Sequence, residues 1–597
     1  MSHQQPNSLP EDVGIFRVNM TEMVEDNSGS DLEVAGRLAE LVREYRSVGQ
    51  LDTALYWADK LVTLGQTSAH HPDNVYLLGQ CLLASKEFQR AASLVMRDDL
   101  HRSHLGCCYI AAQALYSIGD INKSYEIILD GEQQLLPGDG TITGLRRNAL
   151  VSSLYLLKGQ VCEGSENREE ATESYKTAVT SDVTCVAAMT ALSSHQMLSL
   201  EQERQLVTSL QSPGQDVVVS LATHLYWGNI KKYSEVVLAG DQTLSDPEDS
   251  RWRRLFEDNG DVKVAELERL YYNCDYHAAF SLSSDILKQD PHHPACLPVH
   301  IALLVELNKT SDLFKLAHTL VDLYPEWSVA WFGVGCYYYS TGKQDPARRY
   351  LYKATQLDPL FGPAWLAYGH SFAAENEHDQ AMAAYFKACQ LMKGCHFPLL
   401  YIGLEYSHTN NTNLAEKFFN QALEIAPNDP FVLHELGVTA FTSGNLEMAE
   451  KYFSDALLRV ETVTKSGLTS SLSDKWESLL NNLGHTYRKL GRYSESISFH
   501  QQALVLSPLN SSTYSALGYV QSLTGDLASA VQSFHKALGI RREDTFSTNM
   551  LTSVIEQLMN SVAPFPGFND TTPRFPSMVS QSPSSSRECE MEDVSMD

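Results

Sequence analysis

Trp331-Phe-Gly-Val-Gly335-Cys-Tyr-Tyr338, followed beyond a polar stretch by Ala347, Leu351, Ala354 and Pro359, is the most informative passage of this 597-residue chain. Its glycine recurs at Gly369, Gly403 and Gly437, each 34 residues after the last. Twelve residues after each glycine stands Ala347, Ala381, Ala415 or Ala449, and seven further on stands Ala354, Ala388, Ala422 or Ala456. Prolines close the units at Pro291, Pro325, Pro359 and Pro427, with Lys393 in the slot between the last two. The register resumes at Gly484 and Gly518, with Ala503, Ala530, Ala537 and Pro508. Glycine makes up about 7% of an average chain, so three series held in one phase are a repeat and not a coincidence.

The spacing has a physical reading. Each unit predicts two amphipathic helices joined by a polar turn such as Ser340-Thr-Gly-Lys-Gln-Asp345 or Thr442-Ser-Gly-Asn445. Glycine on the first helix and two alanines on the second let the helices approach closely. Trp331, Tyr338, Trp365, Phe372, Tyr406, Phe419 and Phe453 fill the space between them. Proline ends the second helix because it removes a donor and clashes with the preceding turn. One pair cannot bury its apolar face alone, so neighbours must stack. Trp331, Val334, Gly335, Tyr338, Ala347, Leu351, Ala354 and Pro359 stand at the offsets of the tetratricopeptide pattern, W-x2-L-G-x2-Y … A-x3-F-x2-A … P. The predicted fold is therefore all-α, a tetratricopeptide-repeat superhelical solenoid of antiparallel helix pairs.

The pattern is strong over residues 327–544 and weaker before them. Tyr155, Gly159, Ala171, Tyr175 and Ala178 make one clear early unit, and Val75, Leu78, Gly79 and Ala91 a partial one. The expected organisation is a disordered N-terminus over 1–34, a degenerate helical array over 35–210, a junction over 211–262, a second array over 263–545, a terminal helix over 546–560 and a Ser/Pro-rich acidic tail over 561–597. Between Gly437 and Gly484 the step is 47, one repeat plus 13, and the surplus falls in Val460 to Asp474. That stretch predicts an extended or looped helix junction.

Composition narrows the function. Net charge is −28, from 73 acidic against 45 basic residues, with no dense Lys/Arg block, which disfavours nucleic acid. No run of 18 apolar residues occurs: Cys296 to Leu307 is interrupted by His300 and Glu306, so no membrane span is expected. Met1 to Met20 lacks the basic flank and apolar stretch of a secretory signal. The 11 cysteines show no framework spacing, which fits reduced thiols. His70–His71 and His292–His293 lie at predicted turns, where solvated side chains are expected in place of a metal site. His434-Glu435 begins a zinc-protease string, but its fifth residue is Val438. The glycines at 138, 140 and 144 lack the Lys-Ser/Thr of a phosphate loop, and neither a G-x-S-x-G element nor a kinase loop set is present. No stretch of about 100 residues remains for a catalytic domain, so neither an enzyme nor a cofactor is expected.

In a tetratricopeptide array the first helix of each pair lines the inner face. Positions three before, one after and four after the glycine give Phe332, Cys336 and Tyr339, then Leu366, His370 and Ala373. The following units give Leu400 and Leu404, then His434, Val438 and Phe441, then Asn481, His485 and Arg488, and finally Tyr519. The apolar members also suit plain packing between repeats, whereas Asn481, His485 and Arg488 have fewer packing roles and are the better candidates for touching a partner.

Ala54-Leu-Tyr-Trp-Ala-Asp-Lys60, Tyr324-Pro-Glu-Trp-Ser-Val-Ala-Trp331, Asp358-Pro-Leu-Phe-Gly-Pro-Ala-Trp365 and Pro398-Leu-Leu-Tyr-Ile-Gly-Leu-Glu-Tyr406 resemble the subunit-six family of the anaphase-promoting complex, over about residues 35–545. The resemblance implies a non-catalytic scaffold in a cullin-RING ubiquitin ligase that drives mitotic exit. It further implies a two-fold homodimer through the N-terminal repeats, a very small subunit held in the C-terminal groove, contacts with other subunits of the complex, and residence in nucleus and cytoplasm, with spindle or centrosome in mitosis. Thr572-Pro and Ser582-Pro in the tail suit proline-directed phosphorylation. The competing reading is a repeat-bearing trafficking adaptor, which predicts a monomer with an open groove.

Overall fold

A computed structural model describes residues 28–64, 71–97, 99–134, 145–210, 217–230, 252, 255–256, 258–466 and 474–561. Among these the regular structure is helical throughout, with no strand. The chain forms two compact units, Met1–Ala191 and Leu192–Asp597.

The first unit is built of antiparallel pairs: Ser28–Ser47 with Leu51–Leu64, His71–Ala84 with Phe88–Arg97, Leu105–Ile118 with Ile121–Gln134, and Leu145–Gly164 with Arg168–Ser181. Its core runs from Val42, Ala54 and Ala58 through Val75, Leu78, Cys107, Cys108 and Ile110 to Leu154 and Val161. The second unit carries eight such pairs among its described residues, from Gly260–Tyr272 with Tyr276–Gln289 to Ser511–Leu523 with Leu527–Ile540. A final helix, Thr545–Ser561, lies against the last pair through Phe546, Met550 and Val554.

Two local devices repeat. The first is the close approach that the glycines permit. A Cβ on Gly369 would stand 2.3 Å from the Tyr385 ring, one on Gly403 2.5 Å from Phe419, and one on Gly437 2.5 Å from Phe453. In each case the ring sits sixteen residues after the glycine, and Leu351, His500 and Phe534 hold that place in other units. The second device is a left-handed residue that turns the chain between paired helices, seven positions after each anchor. Gly342 and Gly444 have φ of +73° and +84°, which glycine adopts without a Cβ penalty, and Asn376 and Asn410 both have φ of +60°.

This second device recurs in the early units anchored at Gly79 and Gly159, and it exposes others that sequence periodicity passed over. Lys86, Glu166 and Cys274 also have positive φ, at +62°, +62° and +64°. Counting back seven residues from the turns at Gly119, Cys274 and Asn308 places anchors at Ala112, Leu267 and Ile301. No glycine marks those units, in which the position sixteen residues after the anchor holds Ile128, Ser283 or Ala317.

Several helices are capped by the Asp or Asn that precedes them. The Asp429 carboxylate accepts from the backbone N–H of Phe431 and Val432 at 2.8 and 3.1 Å, and Asn510 and Asn167 do the same for their helices. Trp331 and Trp365 donate their indole N–H to the carbonyls of Pro325 and Pro359, at 2.7 and 3.0 Å, tying each unit to the turn before it.

The surplus residues after Gly437 lengthen the second helix of that pair, Leu446–Ser466, to 21 residues against 14 for its neighbours. Residues 467–473 lie outside the described part, and the chain re-enters as the short turn Asp474–Trp476. The expected N-terminal segment 1–34 overlaps the helix Ser28–Ser47, and residues 1–27 lie outside the described part. Of the expected junction 211–262, residues 217–229 are helical and 231–251 are outside the described part, while the boundary between units falls after Ala191.

Candidate functional site

The predicted inner-face residues fall into three groups along the second unit. In the first, Phe332 is 4% exposed and meets Phe361 edge to face at 5.3 Å. Tyr339 leans on His370 at 6.3 Å. His370 shares a 2.8 Å hydrogen bond with the Tyr385 hydroxyl and sits 4.3 Å from the Tyr401 ring. Burial holds its imidazole down to about 4, so it is neutral at physiological pH. Burial, with help from Glu306, conversely raises the hydroxyls of Tyr339 and Tyr401, which stay protonated.

The second group is packing. Leu400 is 4% exposed, and Leu404 is half-buried in the same cluster. His434 is buried, with Nδ1 2.9 Å from Glu435 and Nε2 3.0 Å from the Asn482 amide. Phe332, Cys336, Leu400 and Phe441 are all buried, so these apolar members fill the space between repeats.

The third group is polar. Asn481 Oδ1 is 2.8 Å from His500 Nδ1, and the His485 ring meets the His500 ring at 5.0 Å. The Arg488 guanidinium lies over the Tyr519 ring at 5.2 Å. Burial, then Arg488 and Lys489, push His485 down to about 4. Thr572 and Ser582 lie outside the described residues.

Tertiary structure adds a set that repeat counting did not reach. Lys475 forms an ion pair with Glu306, 169 residues earlier, and its ammonium stands 4.7 Å from the Tyr276 ring. Tyr272 stacks on Phe397 at 5.6 Å, and Tyr271 meets the same ring at 6.3 Å. The Gly394 N–H donates to the Gln196 carbonyl at 2.7 Å, and the Gln196 amide donates to the Tyr272 hydroxyl at 2.6 Å. A Cβ at Gly394 would stand 2.3 Å from the Leu198 carbonyl oxygen. These contacts join residues of this unit that are neighbours only in space. Burial raises Tyr271, Tyr272, Cys274 and Tyr276 well above their usual ranges. Among these, Glu306 adds to the effect on Tyr271, Cys274 and Tyr276, and Asp429 to that on Cys274 and Tyr276.

Chemistry is hard to find here. The cysteines with shifted thiols are all pushed upward by burial, away from the reactive thiolate, with Cys107, Cys108 and Cys296 near 12. Among the described residues no group of three or more His, Cys, Asp or Glu could hold a metal ion, and no helix is long and apolar enough to cross a membrane. One expectation is corrected: His293 is not a solvated turn residue but 9% exposed, with Nε2 3.3 Å from Asp261 Oδ1. The helix Gly260–Tyr272 folds back over the turn, which a local reading cannot foresee.

Repeat geometry defines a tetratricopeptide-repeat protein. Tetratricopeptide repeat profiles match residues 329–359, 401–429 and 477–543, and the profile of anaphase-promoting complex (cyclosome) subunit 3 matches residues 47–130. The chain is 45% identical over 536 residues to the cell division cycle protein 16 homolog of Homo sapiens, covering 87% of this chain and 84% of that one. It is 33% identical to anaphase-promoting complex subunit 6 of Arabidopsis thaliana, covering 88% of this chain and 97% of that one. A crystal structure of the Cut9–Hcn1 hetero-tetramer of the anaphase-promoting complex superposes with a TM-score of 0.72 at 28% identity, covering 87% of this chain and 96% of that one. The chain belongs to the cell division cycle protein 16 family, subunit six of the anaphase-promoting complex.

Proposed function

We propose that this chain is a non-catalytic scaffold subunit of the anaphase-promoting complex, a cullin-RING ubiquitin ligase acting in mitotic progression and exit. The supporting observation is the 45% identity over 536 residues with cell division cycle protein 16. The first unit supplies the surface for a two-fold homodimer, an arrangement that suits an isologous contact. The inner face of the second unit, lined by Tyr339, His370, Tyr401, His485 and Arg488, holds a segment of a very small subunit, while outer surfaces take neighbouring subunits. The relative crystallised as a hetero-tetramer of Cut9 and Hcn1 favours this reading. The protein works in nucleus and cytoplasm, with spindle or centrosome in mitosis. Phosphorylation of Thr572 and Ser582 adds negative charge to a tail that adjusts partner choice.

The test is the native mass of the tagged full chain purified from dividing cells at mild salt, with identification of what co-elutes. The expected result is a dimer carrying ligase subunits and one small protein per chain. A bare monomer, or one bound only to transport cargo, defeats the assignment.

A further inference from the structure

Withdrawn cations in this chain generally have carboxylate partners. Lys158 pairs with Glu132 at 2.9 Å and Glu170 at 3.5 Å, Arg168 with Glu163 at 3.4 Å, and Arg348 with Glu377 at 3.0 Å and with Glu375. Arg488, half-buried near the end of the helix Glu477–Lys489, breaks this rule, and Lys489 beside it is exposed. Neither side chain makes an ion pair or hydrogen bond with a described residue. Each lies over a ring of an adjoining repeat instead: Arg488 reaches forward to Tyr519 at 5.2 Å, and Lys489 reaches back to Phe441 at 3.9 Å. Phe441 and Tyr519 both occupy inner-face positions, so the two cations bridge three successive units on the face predicted to take a partner.

Among the described residues Arg488 has no carboxylate to compensate its charge. Burial lowers Arg488, and only the Tyr519 and Tyr493 hydroxyls act against it. Burial holds neighbouring His485 and His500 neutral, with Arg488 adding to it at both and Lys489 at His485. Asn481 gives its carbonyl oxygen to His500, which leaves its amide donors available. A half-buried guanidinium without a counter-charge is unfavourable, and a ring beneath it offsets this only in part. A guanidinium stacked on a ring still presents its N–H edge, in the fork geometry that a carboxylate accepts.

We propose that Arg488 and Lys489 are the docking point for a carboxylate side chain on an acidic segment of a peptide partner lying along the inner face. This rests on the preceding reading of that face as a partner-binding surface. The Arg488 fork can take both oxygens of one carboxylate, with the exposed Lys489 ammonium close by, and a chain of net charge −28 repels a phosphate dianion more strongly than a single carboxylate.

The experiment is zero-length cross-linking of the complex purified through the tagged full chain. A water-soluble carbodiimide joins an amine to a carboxylate only when the two are in contact. Mass spectrometry is expected to find Lys489 joined to an Asp or Glu of a co-purified chain. Lys489→Arg should abolish that link while the partner is still recovered. The pair Arg488→Gln and Lys489→Gln should lower partner recovery by about tenfold at moderate salt, the effect of one charge-assisted contact. Lys536→Gln, a substitution away from the inner face beside Tyr514, should leave recovery unchanged. Lys489 left unlinked and open to acylation with the partner bound overturns the proposal. So does a link confined to Glu588, Glu590, Glu592, Asp593 or Asp597, which would make this chain's own tail the occupant. Loss of the partner on phosphatase treatment, without a Lys489 link, assigns the site to phosphate and overturns it too. Absence of ligase subunits defeats the scaffold assignment instead, and the Lys489 linkage is still read on whatever chain is bound.

Discussion

A methyl group on Gly369 would meet the Tyr385 ring at 2.3 Å, whereas one on Gly518 would meet Phe534 at 3.1 Å. That difference sorts two substitutions that look identical in sequence. Overpacking a core costs about 1–3 kcal/mol, while alanine gains about 1 kcal/mol over glycine within a helix. Gly369→Ala should therefore lower the melting temperature by a few degrees, and Gly518→Ala should be neutral or slightly stabilising. Equal melting temperatures for the two variants would show that ring contact does not set the glycine requirement. The glycines were legible because their spacing is regular, and so was the partner position sixteen residues on, as at Phe419 and Phe453. Lys86 and Glu166 were not legible as turn residues, because their left-handed conformation is imposed by the helices on either side.

Helix pairing follows from local chemistry, but a few contacts join repeats far apart in sequence. Lys475 and Glu306 are the clearest of them, with side chains 31% and 37% exposed. An ion pair that open to water is worth only about 0–1 kcal/mol. Lys475→Gln should leave the melting temperature nearly unchanged yet speed amide hydrogen exchange around 474–480, where the short turn Asp474–Trp476 leads into the next pair. Unchanged exchange there would mean that Trp476, 4.7 Å from Phe431, fixes this segment without the ion pair. The 13-residue surplus marked this place in the sequence as irregular. Its contact across to Glu306 could not be read, since periodicity relates each unit only to its neighbours.

Acid sensitivity belongs to the whole molecule. Burial holds His300, His370 and His485 near 4, below the value of about 6.5 for an unfolded chain. The folded protein then binds fewer protons than the unfolded chain between those two values. The stability contributed by neutral histidines is complete above about pH 6.5, is lost as pH falls toward 4, and levels off below it. At pH 5 the loss is on the order of 1–2 kcal/mol per histidine. Melting temperatures taken from pH 7.5 to 4.5 should fall through this window, and replacing His370 and His485 by Gln should flatten the slope. A wild-type profile flat down to pH 5 would show that these rings are solvated.

Sequence alone determined the helix-pair repeat, because a 34-residue period in small and large side chains is a direct record of how adjacent helices interlock. It also gave the expected inner-face positions, by fixed offsets from each anchor. Tertiary structure decided which of them are packing and which remain polar: Phe332 and Leu400 are buried between units, whereas Arg488 lies on Tyr519 without a carboxylate. It alone brought Lys475 to Glu306 and Gly394 to Gln196. Local patterning carries the spacing of neighbours, while contacts between distant repeats depend on the small rotation accumulated from unit to unit, which no single residue encodes.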